Sequence, residues 1–305
     1  MAIFGATFAQ TLPKSKLIDA GKLVDDLKVL SADDMEGRAP ETEGSAKARA
    51  FIIKRFQESG ITPFTDNYEQ TYRSGLPSKP NELHTGVNVV GYVDGSSGSK
   101  KYIVVSAHYD HLGIRDGKIY NGADDNASGT ASLFSIAKYF KDHRPENPVI
   151  FVAFDSEETN GAGGREFLAH PPVLSSEIIL NVNVDMIGRD ANNILYAVGT
   201  YHFPYLKPYL EKAAANTQVK LLFGHDVPDT KIEDWTRDSD HYSFHRVGIP
   251  WIYFGVEDFE QHHKSTDDFE TMTLPFYIHA VEAVILSIKQ FDANLAAIEK
   301  QRKPV

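Results

Sequence analysis

Cysteine is missing from all 305 residues of the chain. Thiolate zinc sites, cysteine nucleophiles and disulfides are therefore excluded. Positive charge is short as well. With 31 Lys and Arg against 42 Asp and Glu the formal charge is -11, which speaks against nucleic acid or an anionic membrane as partner. Bound divalent cations would offset part of that excess. No run approaches the ~18 apolar residues of a membrane span, and no repeat or low-complexity tract is present. The first residues, Met1-Ala-Ile-Phe-Gly-Ala-Thr7-Phe-Ala9-Gln10, lack a basic n-region. They read either as the tail of a signal peptide, with Thr7 and Ala9 at small-residue cleavage positions, or as a disordered cytosolic lead-in. Residues 1–16 are set apart on that ground, and 17–300 are expected to form one domain.

What is present is globular: 42% hydrophobic and 24% charged residues suffice for one large core. Helical period runs over residues 14–30 and again over 43–60, where Ala46, Ala50, Ile52, Ile53 and Phe56 share a side. A loop at 31–40 divides them. Residues 68–72 and 86–92 read as strands. From Tyr102 the pattern turns α/β, with apolar strands expected at 102–107, 148–154, 178–185, 195–198, 219–223 and 250–254. Helices are expected at 127–143, 164–170 and 206–216, with one long closing helix at 274–298. Continuous apolar strands such as Tyr102-Ile-Val-Val-Ser-Ala107 belong to a sheet covered on both faces.

The polar residues of interest sit at the ends of these strands. His108 follows one, Asp155-Ser-Glu157-Glu158 another, Asp185 ends a third, and His262-His263 follows a fourth. In open α/β sheets ligands bind beyond the carboxyl ends of strands, so these motifs are expected to converge on one sheet edge. Imidazole nitrogen and carboxylate oxygen suit borderline divalent cations. Two such cations side by side need about five side chains, one carboxylate being shared. Asp124, in the turn Gly122-Ala-Asp-Asp-Asn-Ala-Ser-Gly129, is read as the shared carboxylate, with Asp125 or Asn126 as helix cap. His108 is taken as a ligand, His111 being the nearby alternative, and Asp110 is expected to accept from the other ring nitrogen. Glu158 is placed on the metal and Glu157 beside it as base for the bound water; a solvated acidic turn is the bland alternative. Asp155 is expected to fix the loop. Asp185 ends an apolar strand, where a carboxylate is costly unless paired or metal-bound. Between His262 and His263 the choice falls on His263, whose spacing to Asp267 leaves one turn for a supporting contact. In Ser239-Asp240-His241 a helix N-cap is the expected role of Ser239 or Asp240, beside a role next to the ligands or substrate.

Taken in order, His108-x-Asp110, Gly122 to Gly129, Glu157-Glu158, Asp185-Met-Ile-Gly188, Ser239-Asp240-His241 and His263-x-x-x-Asp267 resemble the M28 metallopeptidases, the co-catalytic zinc aminopeptidases. The likeness extends from about Ser31 to the closing helix. Ser31-Ala-Asp-Asp-Met-Glu-Gly37-Arg38 also resembles the leader of bacterial secreted members. The resemblance implies a three-layer α/β sandwich with a mixed, mostly parallel sheet of about eight strands and helices on both faces. It implies two Zn2+ ions: Asp124 bridges them, His108 and Asp185 complete one, and Glu158 and His263 complete the other. Glu157 would be general base and acid, Asp110 the partner behind His108, and the Asp124–Asp125 peptide would be cis. Peptide substrates and an extracytoplasmic location are implied too. Two departures stand out. His262 replaces the tyrosine or other residue of many relatives, and Trp235-Thr-Arg237-Asp238 lacks the tyrosine with which some members stabilise the oxyanion. Arg237, Tyr242 or a metal would have to take that task.

The expected activity is removal of N-terminal residues from peptides. The rivals are a one-zinc glutaminyl cyclase on the same scaffold, a carboxypeptidase or dipeptidase of the same family, and a non-catalytic binding domain. Residues 201–205, Phe244 and residues 254–261 are candidate pocket walls.

Overall fold

The computed structural model describes residues 12–76, 79–228 and 231–302. Thr7 and Ala9, the expected cleavage positions, lie outside the described residues. The strands are β1 (Thr62–Pro63), β2 (Glu69–Leu76), β3 (Lys79–Val93), β4 (Tyr102–His108), β5 (Gly113–Arg115), β6 (Lys118–Tyr120), β7 (Val149–Phe154), β8 (Ile178–Val184), β9 (Ile194–Val198), β10 (Lys220–Leu222) and β11 (Trp251–Gly255). The helices are α1 (Ala20–Leu30), α2 (Glu43–Glu58), α3 (Gly129–Asp142), α4 (Glu157–Asn160), α5 (Ala162–Ala169), α6 (Lys207–Ala214), α7 (His241–Arg246), α8 (Leu274–Asp292) and α9 (Leu295–Gln301).

Nine strands form one sheet in the order β1-β3-β7-β4-β8-β11-β9-β10, with β2 also paired to β3. Its centre is the parallel run β7-β4-β8-β11, in which Val105 of β4 lies opposite Phe151 and Val182. The flanks are mixed: β1, β2 and β7 run antiparallel to β3, and β9 antiparallel to β11. The expectation of a mostly parallel sheet therefore needs correction, since four ladders are parallel and four antiparallel. The three layers are as expected. Alternation along β4 sends Ile103, Val105 and Ala107 to one face, where they meet Leu23, Ile52, Phe134 and Ile285 of α1, α2, α3 and α8. Val104 points the other way and joins Ile150, Val152 and Phe154 against Phe167 of α5 and Phe244 of α7.

Several boundaries differ from expectation for local reasons. α1 begins at Ala20 rather than residue 14, because the Asp19 carboxylate accepts from the Lys22 amide (3.0 Å) and caps the helix there. The long closing helix is broken between α8 and α9: Asp292 is held by the amides of Glu146 and Asn147, and Asn294 folds back to donate to the Gln290 carbonyl. The short strands expected at 68–72 and 86–92 are the base of a long antiparallel arm, β2–β3. The β5–β6 hairpin and α7 carry too short a pattern to be read from sequence.

The four parallel central strands end side by side. His108 is the last residue of β4, Asp155 follows β7, Asp185 follows β8, and Val256 follows β11. Strand direction alone thus delivers the polar motifs to one edge of the sheet, as the sequence leads one to expect.

Candidate metal centre

Beyond that edge lies a cleft of about 410 Å³ lined by His108, Asp125, Glu157, Glu158, Asp185, His262 and His263, with Met186, Trp235, Tyr253 and Val256 as apolar wall and Glu233, Asp238 and Asp258 as acidic rim. Asp125 is its centre. Oδ1 is 3.4 Å from His108 Nε2, and Oδ2 is 3.1 Å from His263 Nε2, 3.5 Å from His262 Nε2 and 3.6 Å from His111 Nδ1. Asp185 Oδ1 completes the first side, 3.3 Å from His108 Nε2. Glu158 completes the second, with Oε2 3.2 Å from His263 Nε2 and Oε1 2.6 Å from His111 Nδ1. Asp125 belongs to each of the donor clusters with metal-binding spacing found among the described residues.

The structure puts Asp125, not the expected Asp124, between the two groups of donors. Asp125 has extended torsions (φ -104°, ψ 97°), and neighbouring side chains on extended backbone diverge. Asp124 turns away, where its Oδ1 accepts from the Gly188 amide (2.7 Å). The cis peptide likewise lies at Asp125–Asn126, not at Asp124–Asp125. Of the two expected caps, Asn126 takes the role: its side-chain oxygen accepts from Gly129 N (2.8 Å) at the start of α3, while its amide donates to the Val184 carbonyl and braces the turn.

The supporting contacts also differ from expectation. His108 Nδ1 lies 3.2 Å from the Asp110 main-chain oxygen and 3.6 Å from its carboxylate. The carboxylate instead accepts from the amides of Glu157 (3.0 Å) and Glu158 (3.2 Å), so Asp110 orients the glutamate pair. Asp267 does not reach back to His263. It accepts from the amides of Asp124 and Asp125 at 3.1 Å, and burial pushes its carboxyl up to about 6. Asp155 fixes the loop as expected, accepting from Val87 N at 2.9 Å. Ser239 is no cap; it accepts from the buried amide of Asn183 (2.8 Å). Asp240 stands at the start of α7 but caps nothing with its side chain. It is buried with neither oxygen partnered, and burial lifts its carboxyl to about 8.

Electrostatics separates the two glutamates. Burial pushes Glu157 well above the ordinary range, helped by the charges of Asp240, Glu158 and Asp185 against that of His108. Burial and Asp125 oppose ionisation of Glu158 too, yet the bonds from His111 and His263 outweigh them and hold it below the ordinary value. Identical side chains one residue apart thus acquire opposite tendencies.

The donors fit divalent cations. Asp125 Oδ2 and Asp185 Oδ1 are buried and accept no hydrogen bond, although imidazole nitrogens stand 3.1 and 3.3 Å away. Such oxygens are costly to bury unpaired. A tetrahedral ion with ligand bonds of about 2.0–2.1 Å separates its donors by about 3.3 Å, the spacing seen here. Two side chains escape the sequence reading. His111 is there only an alternative to His108, yet it joins the opposite side. Tyr253, on β11, faces the cleft, whereas Arg237 and Tyr242 stack on each other outside its lining. Nothing in the sequence singles out Tyr253 except its place two residues before the strand's end. Of the expected pocket walls, Val256 and Asp258 contribute, Phe244 is buried in the core and Tyr201 is exposed away from the lining.

Among known proteins the chain is 26% identical over 292 residues to aminopeptidase YwaD of Bacillus subtilis (strain 168), covering 85% of this chain and 59% of that protein. Its fold superposes on a zinc aminopeptidase from Bacillus subtilis with a TM-score of 0.70 at 16% identity, covering 93% and 96% of the two chains. It superposes equally on a glutaminyl cyclase from Porphyromonas gingivalis, with a TM-score of 0.72 at 17% identity over 90% and 99%. The chain spans about three-fifths or less of the length of curated relatives such as YwaD and a probable zinc metalloprotease of Pyrenophora tritici-repentis, of which it covers 61%. A family model matches residues 88–288, a stretch that holds the entire donor set, and the chain belongs to peptidase family M28.

Proposed function

We propose that the chain is an aminopeptidase that holds two zinc ions on either side of Asp125. The observation that carries this reading is the two-sided carboxylate: one oxygen faces His108 and Asp185, the other faces His263 and Glu158. His108, Asp125 and Asp185 would hold one ion, and Asp125, Glu158 and His263 the other. Two cations held there would supply Lewis-acid polarisation of the scissile carbonyl and would acidify water. Glu157 takes a proton from the attacking water and returns it to the leaving amine, as the C–N bond breaks and the new C–O bond forms. Tyr253 is the phenol on the cleft wall; burial and the charge of Asp185 push its hydroxyl well up, so it stays a donor for the developing oxyanion.

The lining favours an N-terminal over a C-terminal cut. Among the described residues it contains Glu233, Asp238 and Asp258 and no Lys or Arg. A substrate ammonium is attracted to that acidic rim, whereas a C-terminal carboxylate finds no cationic side chain there. The extracytoplasmic location implied by the resemblance of Ser31 to Arg38 to bacterial secreted members belongs to this proposal. Purified protein should hold two zinc equivalents and hydrolyse amino-acyl amides but not N-blocked ones, with activity lost to chelator and restored by zinc. One zinc with cyclisation of Gln-peptides would select the cyclase instead. Hydrolysis of N-blocked peptides from the C-terminus would select a carboxypeptidase.

A further inference from the structure

Outside the stretch matched by the family model, a buried guanidinium packs behind the loops that carry the donors. Arg38 is 0% exposed. Its Nε donates to the Tyr109 carbonyl (2.7 Å), Nη1 to the carbonyls of Leu30 (2.8 Å) and Asn121 (2.5 Å), and Nη2 to that of Gly122 (3.0 Å). Tyr109 sits between His108 and Asp110, and Asn121-Gly122 leads directly into the Asp125 turn. One planar guanidinium therefore joins the loop of His108 to the turn of Asp125. The third ligand loop is tied in by the same segment: Asn121 Nδ2 donates to Asp33 Oδ1 and to Asp268 Oδ1, both at 2.9 Å, and Asp268 follows the His263 loop.

The backbone is shaped to deliver this side chain. Glu36, Gly37 and Arg38 all have positive φ (52°, 66° and 53°), which non-glycine residues adopt at a cost and keep where the surroundings impose it. At Gly37 a Cβ would meet the Tyr120 carbonyl oxygen at 2.4 Å and that of Gly113 at 2.7 Å, so only glycine lets the segment press against the β5–β6 hairpin. Only arginine then spans the acceptors, because a guanidinium carries five N–H groups in a fixed fork and an ammonium is a single point. Asp125, Asp110, Asp267 and Glu158 surround its charge, which offsets their mutual repulsion.

We propose that Arg38 is a positioning residue for the metal centre: by gripping the carbonyls of Tyr109, Asn121 and Gly122 it sets the spacing between His108 and Asp125. This rests on the two-ion reading above. The test compares wild type, Arg38→Lys, Arg38→Gln and Asp33→Ala as full chains, by zinc affinity in chelator competition, Co2+ absorption spectra, kcat and KM. Removing partners behind metal ligands typically costs about 10–100-fold in affinity. Both Arg38 variants should show a loss of that size and an altered Co2+ spectrum, with kcat falling and KM within about twofold. Lysine should not rescue. Asp33 is exposed, and its replacement should give a smaller loss in the same direction. Folded Arg38 variants with wild-type affinity and spectra overturn the proposal. If neither Arg38 variant folds, unchanged zinc affinity in Asp33→Ala overturns it. Wild type that binds no zinc defeats the two-ion reading itself, a separate outcome.

Discussion

Asp124 and Asp125 are chemically identical neighbours, and the structure assigns them opposite fates, so a matched pair of substitutions is decisive. Asp125→Asn turns one of two oxygens into an NH2 group. Whichever way the amide points, either the His108 side, 3.4 Å from Oδ1, or the His263 side, 3.1 Å from Oδ2, then faces a donor instead of an acceptor. That side cannot hold a cation, and the other loses the shared charge. Lost outer partners cost about 10–100-fold, so loss of a direct, shared ligand should exceed about 100-fold on each ion, or about 2.7 kcal/mol at ~1.36 kcal/mol per tenfold. Asp124→Asn behaves differently. Its Oδ1 bond from the Gly188 amide survives in the amide side chain, and Oδ2 has no partner to lose. Asp124 is in none of the donor groups with metal-binding spacing among the described residues, so its replacement leaves the ligand atoms in place. Zinc affinity should change less than about tenfold. The assay is equilibrium dialysis with metal analysis, alongside circular dichroism to check folding. Two zinc ions in Asp125→Asn and none in Asp124→Asn would refute the geometry of the turn.

Three further outcomes are expected. Glu157→Gln should retain both ions and lower kcat by roughly 10²–10⁴-fold, the usual share of general acid–base catalysis; steady-state kinetics with metal counting checks it, and near-normal kcat removes the assigned role. Tyr253→Phe should lower kcat by roughly 10²-fold if its hydroxyl faces the oxyanion, while a pure rise in KM would make it a binding wall only. Asp238 offers a pH test. Burial, then the charges of Glu233, Asp234 and Asp258, lift its carboxyl to about 6. A carboxyl raised on folding adds no penalty below the unfolded value near 4 and destabilises increasingly from there to about 6. Asp238→Asn should therefore raise the melting temperature at pH 7 and leave it unchanged at pH 3.5. The gain should be roughly 1 kcal/mol or less, since the residue is exposed and solvent screens it; an equal gain at both pH values would point to packing instead of charge.

The order of motifs is legible because two kinds of information lie along the chain. Apolar runs mark the central strands, and a parallel sheet brings the residues after each strand to one edge, so His108, Glu158, Asp185 and His263 can be assembled from strand ends alone. The choice between Asp124 and Asp125 is not legible, since it depends on a backbone torsion at Asp125 that no residue type announces. The contact of Asp267 is misjudged for a related reason, and Asp110, though 3.6 Å from His108 Nδ1, also binds amides that the spacing does not announce. Spacing suggests that a carboxylate near a histidine will bond to it, but free amides of a helix start and of an irregular turn compete for the same oxygens, and here the amides win. A mostly parallel sheet is expected because β3 and β9 have the same apolar composition whichever way they run, and direction is set by connections across the molecule.

Arg38 shows where this limit bears on function. Ligands are recognisable by residue type, because only certain side chains bind cations. The groups that hold ligand loops in place are here main-chain carbonyls of Tyr109, Asn121 and Gly122, which every residue possesses. What selects arginine to meet them is a geometry created jointly by Gly37, the β5–β6 hairpin and the turn before Asp125, three segments that meet only in the folded state. Under the proposed reading, Ser31-Ala-Asp-Asp-Met-Glu-Gly37-Arg38 carries a support of the metal centre that metal chemistry alone would not reveal. If the spacing of His108 and Asp125 is set from there, a change some 70 residues from the first ligand should read out as zinc affinity before it reads out as unfolding.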